Sequence, residues 1–138
     1  MPLTPFHLAP ALALKAVRPR WTGLLPFALA QIVMDIEPAV RLVLGGPLHG
    51  PLHSVGGGIL AGLASAAAAS RMMKASWKGA LMGGLFGGIS HVVLDAVVHP
   101  DVMLFWPLAG GNPLYVAESF VPVHWLLAVL ILILLVRL

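Results

Sequence analysis

No cysteine occurs in the sequence, so disulfide bridges, thiolate ligands and thiolate nucleophiles are excluded, and the redox compartment leaves no mark. Charge is nearly as scarce. Charged residues make up 9% of the 138 residues, against about a quarter in a soluble domain, and the mean hydropathy is +0.97. That composition points to lipid as the main solvent. A nucleic-acid partner is not expected: despite a net charge of +3 and an isoelectric point near 10.0, the eight basic residues are scattered between apolar stretches and form no stripe. The opening MPLTPFHLAP has no basic n-region and carries Pro2, Pro5 and Pro10, so no cleaved leader is expected. There is no nucleophile elbow and no P-loop, and Ser54, Ser90 and Ser119 have no motif around them. No repeat, soluble domain or disordered tail is visible, and the length suits one domain.

What is present is a series of apolar stretches. Phe6 to Val17 is too short to cross a bilayer, which takes roughly 20 residues. Started by Thr4-Pro5 and ended near Arg18-Pro19-Arg20, it predicts a short helix over about 6–17, re-entrant or half-inserted. Four longer stretches, about 21–44, 55–70, 79–98 and 122–138, predict transmembrane helices. The expected fold is therefore all-α: a polytopic membrane bundle forming a single domain over 1–138. Small residues at Gly56–Gly58, Gly62, Ala66, Gly79, Gly83 and Gly87 recur at intervals near four, which lets helix backbones approach closely. Lys15, Arg18 and Arg20 precede the first span, Arg71, Lys74 and Lys78 separate the second from the third, and Arg137 ends the fourth. With four spans these all lie on one side, which the positive-inside rule makes cytoplasmic; the 45–54 and 99–121 segments, without Lys or Arg, face the other way. A multi-pass protein of a bacterial-type inner membrane is expected.

On this map all five acids and all six histidines can converge at or below the non-cytoplasmic interface. Asp35, Glu37 and Asp95 lie within spans, where each ionised carboxylate costs roughly 2.5–3.5 kcal/mol. A divalent cation removes much of that cost, and neutral imidazoles complete its coordination. His91-Val92-Val93-Leu94-Asp95 places a nitrogen and an oxygen ligand on one helix face, and His99 continues the stripe; the alternative is a hydrogen bond tying two helices together. His49-Gly50-Pro51-Leu52-His53-Ser54 offers two imidazoles from a tight loop, with Ser54 placed to cap the next helix. In Met34-Asp35-Ile36-Glu37-Pro38 the proline disfavours helix at Glu37, so the chain is expected to turn there and bring both carboxylates inward, as bridging ligand or general base. The alternative is a Glu37–Arg41 pair. Arg41 could hold a substrate phosphate. His7 is the early candidate ligand, whereas Glu118 and His124 look interfacial. Asp101 and Asn112 are expected near the pocket mouth. Trp106 is a candidate substrate contact, although it and Trp125 also fit an aromatic interface belt.

These residues resemble the YdjM-type family of membrane-bound, metal-dependent hydrolases over most of the chain. Thr4-Pro5-Phe6-His7-Leu8 is similar to that family's early histidine, and Asp35-Ile36-Glu37-Pro38 to its Pro-Asp-hydrophobic-Asp element. His49 to Ser54 resembles its paired-histidine loop, Ser90-His91-Val92-Val93-Leu94-Asp95 its Ser-His-x-x-x-Asp helix, and Trp106-Pro107 its Trp-Pro. Met34 and Glu37 depart from it, standing where the family has proline and aspartate, and His49 lacks the arginine that often follows. The resemblance implies a distant likeness to zinc-dependent phospholipase C and so zinc-type hydrolysis of a phosphoester.

The expectation is a hydrolase acting on a membrane-borne ester or phosphoester, with one or two divalent ions, zinc by preference, held by His7, Asp35, His53, His91 and Asp95, with His49 and His99 as further ligands. Asp35 or Glu37 would take a proton from water, and the substrate would be a lipid or other amphiphile. Two other classes use the same residues: a metal or proton transporter, which needs polar groups continuing to the far face, and a non-catalytic scaffold with a closed structural metal site.

Overall fold

The structure, a computed structural model, describes residues 4–18, 20–73, 76–116, 125–126 and 128–133. Every regular element among them is helical: α1 (Thr4–His7), α2 (Ala9–Val17), α3 (Leu24–Leu44), a 3-10 turn (Pro51–His53), α4 (Val55–Met73) and α5 (Trp77–Val98). The expected short helix over 6–17 is divided at Leu8. Pro10, at the start of α2, has no N–H for the carbonyl of Phe6, so one helix cannot run unbroken through this stretch. Local preference also misleads at Pro38. The chain does not turn at Glu37; α3 runs through the buried Pro38 to Leu44, closed by Gly45 N donating to Arg41 O at 2.7 Å. Only the bond to Met34 O is lost to the proline, and packing of Met34 and Pro38 in the interior holds the helix against that loss.

Helix α5 packs against both other long helices, and its glycines explain how. Gly83 and Gly87 face α3, where a Cβ would strike the backbone of Gly23 and of Phe27 respectively. One residue further on, Gly84 and Gly88 face α4: a Cβ on Gly62 would come 2.5 Å from Gly84 O, and one on Gly58 would come 2.7 Å from Gly88 O. Two glycine stripes, each of period four and offset by one residue, let one helix touch two neighbours at backbone distance. The pairings set the directions. Gly23 with Gly83 and Phe27 with Gly87 make α3 and α5 parallel, whereas Gly62 with Gly84 and Gly58 with Gly88 make α4 antiparallel to both.

Helix α5, with 22 residues and an 18-residue stretch of mean hydropathy 1.7, is the one helix among those described that is long and apolar enough to cross a bilayer. Four were expected. Asp35, Glu37 and Arg41 put three charges into α3, and the Gly and Ser of α4, with Arg71, dilute its hydropathy. Most of the expected last stretch, 122–138, lies outside the described residues; 125–126 and 128–133 are helical. The large apolar side chains nevertheless point outward. Ile32, Ile36, Val40 and Val43 on α3, Leu60 and Leu63 on α4, and Met82, Phe86, Ile89 and Val93 on α5 are all exposed. Conversely, His7, Gln31, His49, His53, His91 and Asp95 are buried.

Candidate metal centre

Asp95 lies in the last turn of α5, one turn beyond His91, and both are buried. Five imidazoles turn their Nε2 atoms towards its carboxylate. His91, His53 and His49 stand 3.2, 3.4 and 3.8 Å from Oδ2, and His7 and His99 stand 3.3 and 3.9 Å from Oδ1. Each comes from a different local device. His91 and Asp95 are one helical turn apart. His99 follows as the C-cap of α5, whose end is tied down by Asn112 Nδ2 donating to Ala96 O (2.6 Å) and His99 O (2.7 Å). His53 closes the 3-10 turn begun by Pro51; Ser54 then caps α4, accepting from Gly57 N at 3.0 Å and donating to Pro51 O at 2.7 Å. His7 ends α1, and its ring stacks on His91 with centroids 4.1 Å apart. His49 packs beside His99 at 4.5 Å.

The opposite edges of three of these rings are held from outside. His53 Nδ1 lies 3.1 Å from Glu37 Oε2, His49 Nδ1 2.9 Å from Asp101 Oδ1, and His91 Nδ1 2.9 Å from Gln31 Oε1. The amide of Gln31 is oriented in turn, because its Nε2 donates to Gly87 O (3.0 Å) and Phe27 O (3.4 Å). Both carboxylates and an amide so oriented can only accept. The proton of each neutral ring is therefore on Nδ1, and the Nε2 lone pair faces inward. Lone pairs directed at a buried carboxylate repel it unless a cation or a proton lies between them. The hydrogen-bond pattern agrees, since Nε2 of His7, His53 and His91 and Oδ1 of Asp95 are buried without a hydrogen-bond partner. Buried polar atoms are rarely left so. The groups His7–His91–Asp95 and His49–His53–Asp95 each bring their ligand atoms within 4.8 Å of one another, as does His49–His99–Asp101. These buried His/Asp groups can hold a metal ion, and Asp95 is common to the first two.

Outside the long helices the electrostatics follow from neighbours. Burial pushes His53 down, but Asp95 and Glu37 on either side outweigh it and hold its pKa above the usual imidazole value. Burial takes His99 down to about 4, helped by His49 and opposed by Asp95. Asp101 would rise on burial, yet its contacts with His49 keep it below the usual carboxylate value.

Of the sequence candidates, His7, His49, His53, His91, Asp95 and His99 thus come together. Asp35 reaches the edge, with Oδ1 3.6 Å from His91 Nε2 and its side chain 25% exposed. Glu37 does not turn inward beside it. On an unbroken helix it lies behind His53, also accepting from Leu52 N at 3.1 Å and facing Arg41 Nη2 at 3.4 Å. Arg41 stands outside the cluster, with Nη1 donating to Pro47 O at 3.4 Å. Trp106 also stands outside, on an apolar groove of about 470 Å3 that passes Glu37, Leu52 and Ser54. Glu118 and His124 lie outside the described residues. The residue missed from sequence is Gln31; its signal was an amide in an apolar helix four residues before Asp35.

No protein-family model matches the chain, and searches among curated proteins and solved structures find no match.

Proposed function

We propose that this chain is a membrane-embedded, metal-dependent hydrolase of lipid-borne phosphoesters, with zinc as its metal and the site beneath the non-cytoplasmic headgroups. The observation that carries the reading is the inward Nε2 set around Asp95, fixed from behind by Glu37, Asp101 and Gln31. Imidazole nitrogen with carboxylate oxygen is a zinc-type donor set. His7, His91 and Asp95 would hold one ion, and His49 and His53, sharing Asp95, would hold a second, with His99 and Asp35 at the margins. Such an ion supplies Lewis acidity, acidifying water towards neutrality and polarising a phosphoester. Asp35, at the cluster's partly exposed edge, is placed to accept a proton on Oδ1. Glu37 serves as the positioning residue that holds His53 rather than as the base.

Membrane embedding, with α3, α4, α5 and the 122–138 stretch as the four spans, is supported by the outward apolar faces and the buried polar interior. Exposed apolar surface on every long helix is rare in soluble monomers. The groove beside Glu37, walled by Leu52, Ile59, Leu60 and Trp106, suits an acyl or isoprenoid chain entering sideways. Arg41 lines an adjoining recess of about 420 Å3, and a substrate phosphate would have to compete there with its Glu37 partner. A transporter is less well supported. Among the described residues, the buried side chains between the cluster and the far end include Phe27, Ala30, Ala66, Ala69 and Ala80, with Ser65 the one buried hydroxyl. The test is elemental analysis of the purified chain, followed by hydrolysis of phospholipid and polyprenyl phosphate substrates before and after chelation. Stoichiometric zinc with chelator-sensitive hydrolysis is expected. No bound metal, or hydrolysis indifferent to its removal, would overturn the reading; bound metal without hydrolysis would leave the scaffold.

A further inference from the structure

At the end of the bundle remote from Asp95, a cavity of about 630 Å3 opens between the α2–α3 connection and the first turn of α5. Arg18 and Arg20 line it from the connection and Lys78 from α5, with Thr22, Trp21 and Met82 between them. Among the described residues none of the three cations is paired with an acid. The described acids, Asp35, Glu37, Asp95 and Asp101, all belong to the histidine end. The cavity wall is tied in place. Lys15 Nζ donates to Trp21 O at 3.1 Å, Trp21 N donates to Arg18 O at 2.8 Å, and the Thr22 hydroxyl packs against Gly79. One side is therefore cationic and the other apolar, with Met82 and then Phe86 continuing as an exposed strip along α5.

We propose that this cavity binds the phosphodiester headgroup of an anionic phospholipid from the leaflet at that end, separately from the hydrolytic site. Three cations with no acid partner among the described residues call for an anion of more than one formal contact, and guanidinium is the side chain best matched to phosphate oxygens. The apolar wall argues for a ligand that carries chains, which would run down the Met82–Phe86 strip, over free phosphate. Trp21 fits the headgroup level of a bilayer. The proposal rests on the membrane-embedded reading, though not on hydrolysis.

The test is native mass spectrometry of the full chain in mild detergent, equilibrated with equal amounts of phosphatidylglycerol and phosphatidylcholine. Preferential retention of phosphatidylglycerol is expected. The triple variant R18Q/R20Q/K78Q should lose that preference by on the order of a hundredfold, from the typical contribution of each cation at an anionic surface. R71Q, which removes a cation at the same end outside the cavity, should leave it unchanged, and R18K/R20K should retain most of it. Equal binding of both lipids, an equal loss in R71Q, or displacement by excess inorganic phosphate would overturn the proposal. An unchanged melting temperature in the triple variant is required for its loss to count, and R18K/R20K supplies the comparison if that variant unfolds. Alkaline carbonate washing separates the two readings: a chain that washes off vesicles sinks membrane embedding, whereas one that stays but shows no lipid preference sinks only this site.

Discussion

At one end of α5, His91 and Asp95 stand among imidazoles from α1, from the 45–54 loop and from the residue that caps α5; at the other, Lys78 stands beside Arg18 and Arg20 with no described acid nearby. The two ends are built differently. The histidine end is buried, and most of its rings are held by a partner behind, so its geometry exists before any ligand arrives. The cationic end is open, with Arg18, Arg20 and Lys78 exposed. Preorganised, dehydrated groups suit selective coordination, whereas exposed flexible cations suit a charged surface that is itself fluid. Between them lies a segment of glycine-to-glycine packing that keeps the ends in fixed relation.

The largest effect that would test this contrast is at its centre. Asp95→Ala removes the carboxylate shared by two candidate ligand groups. Metal affinity should fall by more than about a hundredfold, beyond the range typical of outer partners, when measured by competition with a chromophoric chelator. Lys78→Ala should leave it unchanged. If both variants lose metal equally, the two ends are not independent.

Next come the partners behind the rings. Gln31→Ala and Glu37→Ala should each weaken metal binding by roughly 10–100-fold while leaving the ligands in place. Glu37→Gln, which keeps an acceptor for His53 Nδ1, should be milder than Glu37→Ala. Equality of those two would show that Glu37 acts through charge on the ion rather than through the ring.

These outer partners mark where sequence reading stopped. The inner set was legible because it follows simple spacings: His91 to Asp95 is one helical turn, and His49 to His53 is a tight loop. The helix boundaries followed from apolar runs and glycine stripes, which α3, α4 and α5 match within a few residues. Gln31 was not legible, because its role depends on meeting His91 across a helix interface, and no periodicity encodes that. Glu37 was misjudged because Pro38 was given its local preference, whereas burial in the bundle held α3 straight. Asp101 was expected at the pocket mouth without a partner, since its contact with His49 spans two loops. Crossing by four helices was inferred from length and apolarity, and among the described residues only α5 passes on those grounds.

The middle segment allows a smaller test. Gly58→Ala brings a methyl to 2.7 Å from Gly88 O and should destabilise the chain by about 1–3 kcal/mol, as overpacking does. Gly56→Ala, on the same helix, meets nothing nearer than Ser54 Oγ at 3.8 Å and should be neutral or stabilising, by up to about 1 kcal/mol from helix propensity. Denaturant titration followed by circular dichroism reads both. Equal destabilisation would mean that the close approach of α4 and α5 is not what holds the bundle.

The smallest effect is expected where the histidine end itself becomes open. The side chain of Asp101 is 33% exposed, yet it meets His49 twice, accepting from the backbone N at 3.1 Å and from Nδ1 at 2.9 Å. Asp101→Asn keeps a carbonyl oxygen able to accept one of those bonds, so the ring can stay turned towards Asp95. Partly exposed pairs contribute little, typically under about 1 kcal/mol. A loss of about threefold to fivefold in metal affinity is therefore expected, smaller than for Gln31→Ala at the buried His91. Asp101→Ala, which frees both the ring and the loop, should cost more than Asp101→Asn. If Asp101→Asn instead matches Asp95→Ala in the chelator competition, Asp101 is a direct ligand in the His49–His99–Asp101 group. The boundary between ligand and supporting residue would then move outward to the protein surface, and the contrast between a closed end and an open end would weaken with it.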